Sequence, residues 1–255
     1  MALNPDYSLA GLFVGFIVGL TGVGGGSLMT PILIFLLGVP PTKAVGTDLL
    51  FAAITKSAGT LVHNGRGNVE WRITGRLLVG SIPGTLLALT VFSQVQTVHD
   101  GLNAIILPLL GATLVGTAAA VGLRKKILRF AGEHDGADSA PHWTTVFGVV
   151  IGILVTFTSV GAGAIGAAGL MLLYPRLRSP KIVGSDLAHA IPLTLVAGLG
   201  HLKLGNVDYA LLASLLVGSI PGIYAGSTIT TRLPEPLMRG ILISALLVAG
   251  VACIV

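Results

Sequence analysis

Leu77-Leu-Val-Gly-Ser-Ile-Pro-Gly84 recurs without a change as Leu215-Leu-Val-Gly-Ser-Ile-Pro-Gly222, 138 residues later. Around it, Gly67-Asn-Val-Glu70 matches Gly205-Asn-Val-Asp208, His63 matches His201, and Val45-Gly-Thr-Asp48 matches Val183-Gly-Ser-Asp186. Further upstream the offset is 137. That aligns Gly11 and Gly15 with Gly148 and Gly152, and it superposes two glycine breaks, Thr21–Gly26 and Thr158–Gly163. The 255-residue chain is a duplicated unit: residues 1–123 make the first repeat, 124–142 a polar linker and 143–255 the second repeat.

The composition says where such a unit lives. Hydrophobic residues are 53%, charged residues 10% and the mean hydropathy +0.91. Soluble domains carry about 25% charged residues. A disordered chain, a nucleic-acid binder and an ordinary soluble enzyme are excluded, and a polytopic all-α membrane protein is expected. The lone Cys253 excludes a disulfide framework and a cysteine metal site. No Lys or Arg precedes Lys43, so the first apolar block lacks the basic flank of a signal peptide and is read as retained structure.

Eight hydrophobic segments follow. Charge-free stretches run Tyr7–Thr42, Leu77–His99, Gly101–Leu123, Trp143–Pro175, Tyr209–Thr231 and Gly240–Val255. Ala44–His63 carries Asp48 and Lys56, and Ile182–Leu202 carries Asp186. Most have the ~20 residues that cross a bilayer core. The first and fifth are too long, and both contain a glycine break. If all eight cross, the basic residues divide eight against six between the two sides. If the first and fifth enter and return on one side, the division is twelve against two, with only Lys43 and Lys203 opposed to the rest. The second arrangement obeys the positive-inside rule. It predicts re-entrant hairpins with half-helices of about 13 residues at ~1.5 Å each, tips near the midplane, inverted repeats and a cytoplasmic linker. The competing arrangement keeps both segments as long, kinked spans.

Irregular backbone at membrane depth must line a cavity or be buried in protein, and a helix N-terminus at such a break attracts anions. Gly24, Gly25 and Gly26, with Gly161 and Gly163 in the second repeat, would let a ligand approach backbone. Thr21, Ser27, Thr158 and Ser159 would add hydroxyls. The alternative is that these glycines only permit tight helix crossing. Lys56 is the one basic residue inside a segment. It could neutralise an anion or pair with Asp48, or it could snorkel to the surface. Its repeat counterpart is Thr194. Asp48 and Asp186 are candidates for proton coupling, or for capping the first turn of the second and sixth segments. His189, one turn after Asp186, could relay protons or be a hydrogen-bonded packing residue. His63 and His201 sit at segment ends and are expected at the interface. Pro83 and Pro221 are expected to set kinks near the start of their segments.

No metal-ligand spacing, nucleotide loop or nucleophile motif is present, so neither a cofactor nor an enzymatic activity is expected. An intramembrane hydrolase using His189 and Asp186 would lack a nucleophile.

The combination Gly22-Val-Gly-Gly-Gly-Ser-Leu-Met-Thr-Pro31, Ala44-Val-Gly-Thr-Asp48 and Gly80-Ser-Ile-Pro-Gly84 resembles the TauE/SafE family of sulfite exporter-like permeases, from about residue 9 to residue 255. The resemblance implies export of small sulfur-containing anions, such as sulfite and organosulfonates, across the bacterial inner membrane by a secondary transporter. It also implies a glycine motif near the substrate. The second repeat departs from the pattern, with Ala162 between its glycines and Ala168 in place of Pro31. Alternating access is the expected mechanism. A passive anion channel and a permease for another small organic anion are the alternatives. The expected partners are the anion and the lipid bilayer, not nucleic acid. The oligomeric state stays open, a homo-oligomer included.

Overall fold

A computed structural model describes residues 4–21, 26–65, 67–95, 101–124, 126–127, 129, 141–229 and 235–254. The described residues are almost entirely helical and contain no strand. Among the described residues ten helices carry the fold: α1 (Pro5–Thr21), α2 (Gly26–Phe35), α3 (Pro41–Gly65), α4 (Trp71–Val95), α5 (Gly101–Gly122), α6 (Pro141–Thr158), α7 (Ala164–Leu173), α8 (Ser179–Lys203), α9 (Tyr209–Ile229) and α10 (Glu235–Ile254). The repeat offset carries through: α2, α3 and α4 begin 138 residues before α7, α8 and α9. Among the described residues, five helices are long and apolar enough to cross a membrane. Two overlap α4 and α5 and three overlap α6, α8 and α9. Many Ser and Thr hydroxyls inside the helices return to their own backbone, as Thr113 to Leu109 O, Thr156 to Gly152 O and Thr194 to Ala190 O do. Such bonds satisfy polar groups where water is absent.

The two repeats interlock. α1 packs along α9 and α4 along α6, the two most extensive helix pairs. Each crossing is a reciprocal double glycine contact. A Cβ on Gly11 or Gly15 would overlap the carbonyls of Leu215 and Ser219, and one on Gly218 or Gly222 those of Ser8 and Leu12. The same pattern joins Gly80 and Gly84 to Thr145 and Val149, and Gly148 and Gly152 to Leu77 and Ser81. The octapeptide is therefore repeated because it is a docking surface: its two glycines let backbone meet backbone. A third matched pair seats Gly46 on the Asn206 carbonyl and Gly184 on that of Asn68.

These contacts fix helix directions. In both glycine crossings the numbers rise together, so α1 runs with α9 and α4 with α6. Thr74 bonds Ser185 and Ser81 meets His189, so α4 also runs with α8. The Asp208 amide donates to Thr47, joining the starts of α9 and α3 in one sense. By contrast, Gly122 faces Ile243 while Gly111 faces Gly250, so α5 and α10 run opposed. Gly46 lies by His201 and Gly184 by Asn68, so α3 and α8 are opposed as well.

Because α6 and α8 share a direction, the chain must return between them, and α7 makes the return. The Thr144 and Tyr174 hydroxyls, one near the start of α6 and one just past α7, are 2.6 Å apart. The limbs of the second repeat are unequal, 18 and 10 residues. Half-helices of about 13 residues at ~1.5 Å each are not what this repeat has: its first limb covers most of a bilayer core of ~30 Å and its second about half. Pro83 is also further in than expected, since α4 begins at Trp71 and not at Leu77. α6 starts at Pro141, inside the stretch read as linker.

Candidate functional site

The second glycine break owes its shape to three residues with positive φ: Ser159 (58°), Gly161 (124°) and Gly163 (146°). The two glycines occupy a region that side chains disfavour, and that ends α6 after Thr158 and restarts the helix at Ala164. α7 begins without a side-chain cap. Among the described residues, none of the amides of residues 161–165 donates a hydrogen bond within the protein. This is the unsaturated helix start expected to suit an anion.

Lys56, near the middle of α3, reaches this break. It is 6% exposed, and its Nζ donates to the Ala162 carbonyl at 3.0 Å. The snorkelling reading is thereby excluded. Two acids lie within electrostatic reach of it, Asp48 and Asp186, but neither makes an ion pair with it within 4.0 Å. Asp48 is fully buried and Asp186 is 4% exposed. Each is the eighth residue of its helix, and no acid stands in the first turn of α3 or α8. The capping role is therefore overturned. The helices start three residues before the hydropathy rises, at Pro41 and at Ser179-Pro180, which moves both acids into the interior.

The two acids are matched by sequence but not by surroundings. Asp48 Oδ2 accepts from Thr30 Oγ1 at 2.6 Å. At the corresponding place in α7 stands Ala167. Gly166 faces Asp186 so closely that a Cβ there would overlap its Oδ1, and that oxygen has no partner. Asp48 Oδ1 and the neighbouring Ser159 Oγ are likewise without one. His189, 1% exposed, meets Ser81 Oγ through Nε2 at 2.9 Å and leaves Nδ1 unpartnered.

The break from the second repeat, Lys56 from the first and an acid from each thus converge. The hydroxyl of Thr158 is spent on its own backbone, donating to Leu154 O and accepting from the Val160 amide. Ser27 is buried near the start of α2. Gly24 and Gly25 lie outside the described residues, as do the side-chain surroundings of Thr21, Gly26 and His63. His201 is not interfacial: it is fully buried, meets the Thr156 carbonyl at 2.9 Å and stacks edge-on against Phe92, with ring centres 4.5 Å apart. Sequence reasoning missed Thr30, Ser81 and the Ala162 carbonyl. Ser81 had a signal, since it lies inside the perfectly repeated octapeptide.

Comparison with known proteins agrees with the membrane fold. The family described as Sulfite exporter TauE/SafE matches residues 7–253. "Probable membrane transporter protein YjnA" of Bacillus subtilis (strain 168) is 37% identical over 99% of this chain and 100% of its own length. YdhB of the same organism, with the same description, is 28% identical over 93% of this chain and 94% of its own. "Probable membrane transporter protein MJ0441" of Methanocaldococcus jannaschii is 28% identical over 98% and 95%. No solved structure matches.

Proposed function

Since the chain belongs to the TauE/SafE family of multi-pass membrane transporters, we propose that it is a secondary transporter exporting a small sulfur-containing anion, such as sulfite or an organosulfonate, across the bacterial inner membrane by alternating access. The observation that carries this reading is Lys56: a buried cation held on the tip of a broken helix whose amides are unpaired, between one acid from each repeat. An intramembrane charge without an ion-pair partner is expected to serve a substrate or ion.

Antiparallel matched helices support inverted repeats. A two-fold relation that reverses α3 against α8 and α5 against α10 has its axis in the membrane plane. The returning limbs α2 and α7 support re-entrant first and fifth segments. On this reading Arg72, Arg76, Arg124, Lys126, Arg129, Arg176, Arg178, Lys181 and Arg239 share the cytoplasmic end, and Lys43 and Lys203 the opposite one.

Charge balance supports proton coupling through Asp48, Asp186 and His189. Ionised Lys56 with two carboxylates sums to −1, and an incoming monoanion would make it −2 in a medium that penalises charge. Protonation of one acid per anion removes that penalty. Asp186, which has no counterpart of the Thr30 hydroxyl that donates to Asp48, is the better placed of the two.

The test is flux of labelled sulfite and methanesulfonate in proteoliposomes. Saturable flux driven by an anion or pH gradient is expected. An ohmic current would assign a channel. Movement of cations or neutral solutes without any oxyanion flux would refute the reading.

A further inference from the structure

The two repeats carry an acid and a lysine in matched positions, and only one of the two pairs is closed. Glu70 and Lys181 correspond to Asp208 and Lys43 through the repeat offset of 138. The backbone around them is arranged alike in both copies. Gly184 seats on the Asn68 carbonyl and Gly46 on that of Asn206. The Glu70 amide donates to Ser185 Oγ at 2.8 Å, and the Asp208 amide to Thr47 Oγ1 at 3.1 Å. The side chains differ. Lys181 is ion-paired with Glu70, the two being 33% and 32% exposed. Asp208 turns its Oδ1 to the amides of Ala210 and Leu211, at 2.9 and 3.0 Å, and so caps α9. Among the described residues its Oδ2 accepts no hydrogen bond, and the exposed Lys43 makes no ion pair.

Glu70 directly precedes α4, and Lys181 lies in the first turn of α8. Their ion pair ties the starts of two helices that meet again at Thr74 and Ser185 and at Ser81 and His189. Lys181 stands five residues before Asp186, and Lys43 five before Asp48, about 7.5 Å along each helix. Each lysine therefore sits at the end of the helix that leads to one of the two buried acids.

We infer that Glu70–Lys181 is a latch holding the α4–α8 end of the protein shut, and that Lys43–Asp208 is its twin, open in this structure and closed when the protein faces the other way. The inference rests on the alternating-access reading above. In that mechanism, each inverted repeat takes up in the second state the arrangement that its partner has in the first. The side chains allow the exchange. Asp208 can receive Lys43 on Oδ2 while Oδ1 keeps its cap, and an ammonium is a compact point charge that needs no second oxygen. Ion pairs in contact with water are individually weak, which suits a latch that must open in every cycle.

The test reads both ends at once. In a Cys253→Ser background, spin labels are placed on Trp71→Cys/Arg178→Cys at one end and on the matched pair Pro40→Cys/Tyr209→Cys at the other. All four positions are exposed. Distances are measured by double electron–electron resonance in lipid nanodiscs. Glu70→Gln should raise the ratio of long to short distances at the first end roughly 2- to 5-fold, the yield of one weak ion pair, and lower it at the second. Lys181→Gln should do the same. Lys43→Gln added to Glu70→Gln should bring both ratios back toward the wild type. A static pair of helix ends predicts no effect from Lys43→Gln, because that lysine has no acid to lose in this structure. Distances unmoved by Glu70→Gln and Lys181→Gln, or a shift that Lys43→Gln fails to reverse, overturn the latch. Labelled sulfite flux through the Cys253→Ser protein in proteoliposomes then separates the two readings. With saturable flux the latch alone is lost, and with an ohmic current alternating access falls with it.

Discussion

Lys56→Met keeps the length and most of the volume of the side chain and removes its charge. The substitution deprives the Ala162 carbonyl of its donor and leaves Asp48 and Asp186 without their shared cation. Breaking a buried charged arrangement by removing one partner costs ~3–5 kcal/mol. Proton uptake by the acids offsets part of that, so a folded but less stable protein is expected. Removal of the charged contact to an anion costs a further ~1.5–3 kcal/mol in binding, or roughly 10- to 150-fold in Kd. Those two effects can be separated. Lys56→Met/Asp186→Asn removes a cation and an anion together, so thermal unfolding should show a recovery of ~0.5–3 kcal/mol in a double-mutant cycle. Anion binding, followed by calorimetry on detergent-solubilised protein, should not recover. Wild-type affinity in the double variant would show that Lys56 only neutralises Asp186, and the substrate role would be lost.

Anion flux should fall as external and internal pH are raised together, because uptake of a monoanion by the −1 cluster needs an accompanying proton. Asp186→Asn should flatten that dependence, and a pH-independent wild-type flux would exclude proton coupling. Gly80→Ala should destabilise the protein by about 1–3 kcal/mol, since its Cβ would overlap the Thr145 carbonyl. Gly75→Ala on the same helix has nothing within 4 Å and should stabilise by up to ~1 kcal/mol; equal melting shifts would contradict the crossing geometry. In a Cys253→Ser background, cysteines at Lys126 and Arg178 should react with an impermeant maleimide from one side and a cysteine at Lys203 from the other. Labelling of positions 126 and 178 from opposite sides would end the re-entrant reading.

The duplication, the second glycine break and the interior lysine were all legible in the sequence, because each departs from a run of apolar residues. The helix ends were not. Hydropathy marks where side chains meet lipid, whereas α3 and α8 begin in turns with proline that hydropathy passes over, and so both acids were set too near an end. The unequal limbs escaped for a related reason: the positive φ of Ser159 is a property of the backbone, invisible in a residue that favours no such conformation. The burial of His201 depends on Phe92 and on a carbonyl in α6, and nothing near it in the chain announces either. The inequivalence of the two acids is different. Thr30 and Ala167 were visible, but only the packing of α2 on α3 and of α7 on α8 shows that they stand opposite Asp48 and Asp186.

The glycine crossings also bear on how the chain is made. α1 leaves the ribosome well before the helix it docks on, since α9 is synthesised about 200 residues later. At ~5–20 residues per second that is a wait of some 10–40 seconds, during which the glycine face of α1 meets lipid or the insertion machinery. α4 waits far less for α6. The assembly order is therefore asymmetric although the architecture is not: the α4–α6 crossing can close while synthesis continues, and the α1–α9 crossing is the late clasp. A nascent chain stalled before α9 would hold its N-terminal helix loose, and a separately expressed first half would lack a mate for both α1 and α4.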